Sequence, residues 1–157
     1  MTKSLTEEST AHVLGLLTHL KGIVIHFAFC DGCGIDGKTI TASEFGLQQK
    51  PGTWIIISCR RRETIKGNAY FEFVAKEDSK IPGIRIENEV MISPFVDIRI
   101  CQPSEVITSV SFEKIDEQNF EPGLIYENAI VLQTSRGRIF KFEPEETVAE
   151  RIRLVLP

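Results

Sequence analysis

The string whose residue types and spacing come nearest to a defined chemistry is Gly32-Cys33-Gly34-Ile35-Asp36-Gly37-Lys38-Thr39, a match to the phosphate-binding pattern G-x-x-x-x-G-K-[ST]. In such a loop backbone N–H groups cradle phosphates, Lys38 would neutralise their charge and Thr39 would hold magnesium. Gly32, Gly37, Lys38 and Thr39 are thus the candidate nucleotide-binding residues. The pattern also needs a helix directly after the loop, because the amides at its N-terminus complete the cradle. Here Thr39-Ile40-Thr41 is β-branched, Gly46 interrupts and Pro51-Gly52 ends the segment, so residues 39–50 are not expected to form a continuous helix. The string then reads as a β loop with a turn at Asp36-Gly37.

A dense basic cluster, Arg60-Arg61-Arg62 with Lys66 nearby, is the candidate site for an anionic ligand such as a lipid headgroup or a phosphopeptide. Strand alternation sends Arg60 and Arg62 to one face and Arg61 to the other, so the cluster does not make a flat basic surface by itself. Charges at a strand end also serve simply to discourage edge pairing. An acidic counterpart, Glu113, Asp116, Glu117, Glu121 and Glu127 with the aromatics Phe120 and Tyr126, is the candidate contact for a basic protein or else a solvated loop.

The four cysteines and three histidines do not assemble into a metal or nucleophile motif. Cys30 and Cys33 have zinc-knuckle spacing, but no second close pair accompanies them, and His26 would lie about 13 Å from Cys30 along a strand. His12 and His19 are two helical turns apart, about 10 Å, too far to share an ion unaided. The reading is therefore of reduced thiols, no metal and no cofactor, and no catalytic residues are assigned.

Composition bounds the rest. With 157 residues, 42% hydrophobic and 25% charged, the chain is expected to form one globular domain over residues 1–157. The net charge of −4 is uneven: residues 1–80 sum to +1 and residues 81–157 to −5. A chain with this balance lacks the basic footprint of a nucleic-acid binder, and its apolar runs fall far short of a membrane helix. No apolar stretch marks residues 1–10 as a secretion signal, so the expected location is cytoplasmic.

Ser4 with Glu7, then Val13, Leu16, Leu17 and Leu20 before Gly22, predict an N-terminal helix over residues 4–21. From Gly22 the period becomes two, with Ile23, Ile25, Phe27 and Phe29 on one face. Further β patterns cover 53–61, 68–76, 83–92, 95–101, 105–115, 128–135 and 138–143, giving seven or eight strands in a body spanning residues 22–143. Arg136-Gly137 predicts the last hairpin turn. Pro144, Glu145 and Glu146, followed by Val148, Ile152, Val155 and Leu156, predict a C-terminal amphipathic helix over residues 144–156. The expected fold is mainly β, a β-rich α+β arrangement: a bent antiparallel sheet or partly open barrel with a helix at each terminus.

The run from Val106 to Leu156, with Val-Ile-Thr-Ser-Val-Ser-Phe, then Ala-Ile-Val-Leu-Gln-Thr-Ser-Arg-Gly-Arg-Ile-Phe-Lys-Phe and the Pro-Glu-Glu-led segment, resembles the end of pleckstrin-homology-like domains. The resemblance implies seven strands and a C-terminal helix, used as a scaffold for peptides, proteins or lipid headgroups. The expectation is a non-catalytic binding module acting in protein–protein interaction, an acidic inhibitor or immunity-type protein being one version. Binding of anionic lipid through the arginines, or of a nucleotide at Gly32 to Thr39, are the alternatives.

Overall fold

The computed structural model describes residues 5–25, 27–31, 34–63, 69–79, 85–87, 90–92, 95–113, 124–125, 129–145 and 151–157. Helix α1 (Leu5–Leu17) runs into a 3-10 turn at Thr18–Leu20, where the Thr18 hydroxyl donates to the Leu14 carbonyl at 2.6 Å. Gly22 then takes φ +78°, a conformation open to glycine at little cost, and the chain becomes extended.

Fourteen strands follow among the described residues: β1 (Phe27–Asp31), β2 (Gly34–Asp36), β3 (Thr39–Ala42), β4 (Glu44–Lys50), β5 (Thr53–Glu63), β6 (Ala69–Asp78), β7 (Arg85–Glu87), β8 (Val90–Ile92), β9 (Phe95–Arg99), β10 (Ile107–Glu113), β11 (Leu124–Ile125), β12 (Ala129–Thr134), β13 (Ile139–Pro144) and β14 (Ile152–Val155). One sheet has the order β10-β12-β13-β14-β3-β2, the other β11-β6-β5-β4-β1-β9, and β7 pairs with β8 alone. The pairings are antiparallel except that of β11 with β6. The mainly β expectation holds as two sheets with one helix, and among the described residues the strands do not close into a barrel.

The two sheets are joined by the chain itself. β2 pairs with β3 in the first sheet while β1 pairs with β4 in the second, so one long hairpin crosses from sheet to sheet and bends at Ser43. Its inner residues are Ile40 and Ala42 before the bend but Phe45 and Leu47 after it, a shift of one residue in phase. On the opposite side, α1 packs against both β6 and β10 and brings buried Val13, Leu17 and Leu20 into the core. The core is a single cluster drawn from both sheets, and the Phe45 and Phe142 rings meet edge to face across it at 5.4 Å. Such a contact adds about 1 kcal/mol beyond the area it buries.

Two expectations are corrected. Residues 152–155 are a strand, not the end of a helix: β14 lies between β13 and β3, with Ile152 and Leu154 buried and Arg153 and Val155 half-buried. Pro144 is the buried last residue of β13, opposite Ile152, rather than the first of a helix. The period-two burial of two β-branched or γ-branched residues inside a sheet outweighs the helical spacing of Val148, Ile152 and Val155. The segment 22–31 is also not one regular strand, because β1 begins at Phe27 and its register pairs Ala28 and Cys30 with the buried Leu47 and Phe45.

Candidate functional site

β5 is rich in β-branched residues, and Trp54, Ile55, Ile56 and Ile57 are all buried. Past Cys59 the same ladder continues as Arg60, Arg61 and Arg62, which are exposed. The antiparallel pairing with β6 runs on through Arg60 opposite Glu72, Arg61 opposite Phe71, Arg62 opposite Tyr70 and Glu63 opposite Ala69. The arginines therefore stand on a fixed frame. Arg62 Nε donates to Glu72 Oε2 at 3.3 Å, and among the described residues Arg60 and Arg61 have no ion pair. Lys66 lies outside the described residues.

The parallel pairing of β11 with β6 sets Leu124 opposite Ala69 and Ile125 opposite Tyr70. Across three strands the row is Ile125, Tyr70, Arg62. The topology thus brings Leu124 and Ile125, which stand among the acidic residues in sequence, to the same end of the same sheet as the arginines, a relation that neither run announces. Of those acidic residues Glu113 ends β10, exposed and paired with Lys141 Nζ at 2.9 Å. Asp116, Glu117, Phe120, Glu121, Tyr126 and Glu127 lie outside the described residues.

The string Gly32 to Thr39 is the tip of the long hairpin. Asp36 pairs with Thr39 across a two-residue turn in which Gly37 has φ +57°, the positive value that a type II′ turn needs at its first central position. Thr39 opens β3, and β4 follows after Ser43, so strand rather than helix continues from the loop. The Lys38 side chain is exposed and its carbonyl accepts from the Leu156 amide at 2.8 Å. Gly32 and Cys33, and the Cys30 side chain, lie outside what the structure describes.

A second cluster was not foreseen. The loop 100–106 is tied to the β12–β13 hairpin by Glu105, a buried carboxylate. Arg138 Nε donates to Glu105 Oε2 at 3.0 Å, a terminal nitrogen of Arg138 contacts Glu105 Oε1, and the same nitrogen reaches the Ile100 carbonyl. The Thr134 hydroxyl donates to Oε2 at 2.6 Å and the Gln102 amide to Oε1 at 2.8 Å. With its oxygens so occupied, Glu105 is held down to about 2, chiefly by the Arg138 hydrogen bond and against the effect of burial. Arg138 is shifted up by the same bond, and burial pushes the adjacent Cys101 thiol up. A shielded carboxylate and a protonated, buried thiol brace the structure and are ill suited to proton transfer or attack. Among the described residues no group of three or more His, Cys, Asp or Glu is placed to hold a metal.

No family model, curated protein or solved structure matches the chain. Among the described residues no helix is long and apolar enough to cross a membrane. The functional reading therefore rests on the surface, where Arg60 and Arg61 are exposed without an ion pair among the described residues and Arg62 is engaged through Nε by Glu72.

Proposed function

We propose that the chain is a non-catalytic binding module whose partner is another protein, docked at the arginine end of β5. The observation that carries this reading is the exposure of three successive arginines on a strand end paired with β6, in a chain of net charge −4. Three adjacent guanidinium groups repel one another in the free protein, and an anionic partner relieves that repulsion. Arginine presents a planar fork of donors that matches carboxylates and is enriched in protein interfaces.

The alternation of the three side chains favours a protein over a membrane. Arg60 and Arg62 share one face of β5 and Arg61 takes the other. A flat anionic bilayer meets only one face at a time, whereas a protein surface can close around the strand end.

The test compares the parent with a variant carrying Arg60→Glu, Arg61→Glu and Arg62→Glu, each incubated with source extract at low and then high salt. A defined protein retained by the parent, released by salt and missing with the variant is the expected result. Equal retention by both would overturn the site, and sedimentation of the parent alone with anionic vesicles would make lipid the ligand.

A further inference from the structure

We infer that the partner is engaged through an extended acidic segment whose carboxylates recur at alternate positions, one for Arg60 and one for Arg62. This inference rests on the protein-binding reading and specifies its chemistry. Arg60 and Arg62 are two residues apart on one face of a regular ladder, so their Cβ atoms stand about 7 Å apart. An extended chain repeats on one face at the same interval, since the same rise per residue sets both spacings. Neighbouring positions on one face of a helix are closer, about 5 to 6 Å, and the next positions turn away from a straight strand.

Glu72 prepares this face. It lies opposite Arg60 in the ladder, is half-buried, and accepts from Arg62 Nε at 3.3 Å. That bond engages Nε of Arg62 and, among the described residues, leaves its terminal nitrogens for an outside acceptor. One carboxylate between two arginines leaves the pair with a net positive charge. On the same face the next residue of β5 is Ser58, half-buried and small, beside half-buried Val74 of β6, and beyond it Ile56 is buried, so the segment would lie over the Ser58–Arg62 end of the strand. Arg61, on the other face, makes no direct contact to such a segment and is left for the part of the partner that closes around the strand end.

The prediction is made for the full chain and three fluorescent peptides of equal charge: one alternating Glu and Thr, one with the same residues in two blocks, and one alanine-rich helix with Glu four residues apart. Anisotropy titration at low salt should show the alternating peptide binding roughly tenfold more tightly than either of the others, two exposed pairs being involved. Arg60→Gln with Arg62→Gln should remove that preference, whereas Arg61→Gln should weaken all three peptides equally and slightly. Equal binding of the three peptides, preference for the helix, or an effect of Arg61→Gln as large as the double change would overturn the inference. So would no binding of any peptide. In that last case, retention of a protein from extract that depends on the arginines would keep the broader reading and remove only the extended acidic segment. Thermal melts of the variants, expected to match the parent because all three side chains are exposed, guard against loss of fold.

Discussion

Glu105 and Arg138, 33 residues apart in the chain, meet through two nitrogen–oxygen contacts, Nε to Oε2 at 3.0 Å and a terminal nitrogen to Oε1. Glu105 is fully buried whereas the Arg138 side chain is 30% exposed and lies over the Phe140 ring. Removing the arginine therefore leaves the carboxylate with no counter-charge in the interior. Arg138→Ala is expected to lower unfolding stability by about 3 kcal/mol. Glu105→Leu combined with Arg138→Met should lose clearly less than the sum of the single changes. Urea denaturation of Arg138→Ala and of the four proteins in the cycle measures both quantities, and additive losses would mean that the pair is not coupled.

The same carboxylate makes stability depend on acidity. Its folded value, about 2, lies below the ordinary 4.5, so the folded protein binds this proton more weakly than the unfolded chain. The stabilisation is present above the unfolded value and is lost as pH falls from about 4.5 toward 2. Denaturation midpoints recorded across that window should fall more steeply for the parent than for Glu105→Gln. Parallel curves would show that other carboxylates dominate the acid limb.

Cys59 and Cys101 are buried, and burial raises the Cys101 thiol further from neutrality. With Cys30 and Cys33 changed to serine, a thiol reagent should label the native protein only at the rate of its unfolding. Rapid labelling at neutral pH would mean that loop 100–106 opens locally.

The β12–β13 connection turns through Ser135, Arg136 and Gly137, with Gly137 N donating to the Thr134 carbonyl at 2.9 Å and Thr134 N to the Arg138 carbonyl at 2.9 Å. Gly137 has φ +75° and open space around a would-be Cβ, so strain rather than collision opposes a side chain there. Gly137→Ala should cost about 1 kcal/mol, read from the shift in urea midpoint, and Gly137→Asn less. A neutral alanine variant would mean that the loop adopts another turn.

The strands legible in the sequence were the β-branched run at 53–61 and the patterned runs at 128–135 and 138–143, which the structure gives as Thr53–Glu63, Ala129–Thr134 and Ile139–Pro144. The segment 34–50 was not legible as three strands, because its inner residues change parity at Ser43: Ile40 and Ala42, then Phe45 and Leu47. That shift is how the chain turns from one sheet into the other, and it breaks the period on which a sequence reading depends. β14 failed for the opposite reason, since four residues are too few to separate a period of two from one of 3.6. The arginine run was visible as composition, but its placement with only β6 between it and β11 depends on a parallel pairing that no local pattern encodes. Glu105 and Arg138 left a faint trace. Each sits two residues before an inward position, Ile107 and Phe140, so opposite charges on core-facing parity at the starts of two strands were a readable sign of a buried pair.

The place of β14 orders events in time. Within the first sheet β10, β12 and β13 are joined to β3 and β2 only through β14, and the contact of Arg151 with the Thr41 carbonyl spans 110 residues. As the chain is synthesised, β2 and β3 emerge early yet have no route into that sheet until residues 152–155 arrive. Such distant pairing carries a large loop-closure cost before it yields any contact, so completing this sheet is a late and slow step. Until then the inner faces of Ile40 and Phe142 lack the buried neighbours Ile152 and Leu154, and the nascent protein carries two open strand edges that, among the described strands, β14 fills.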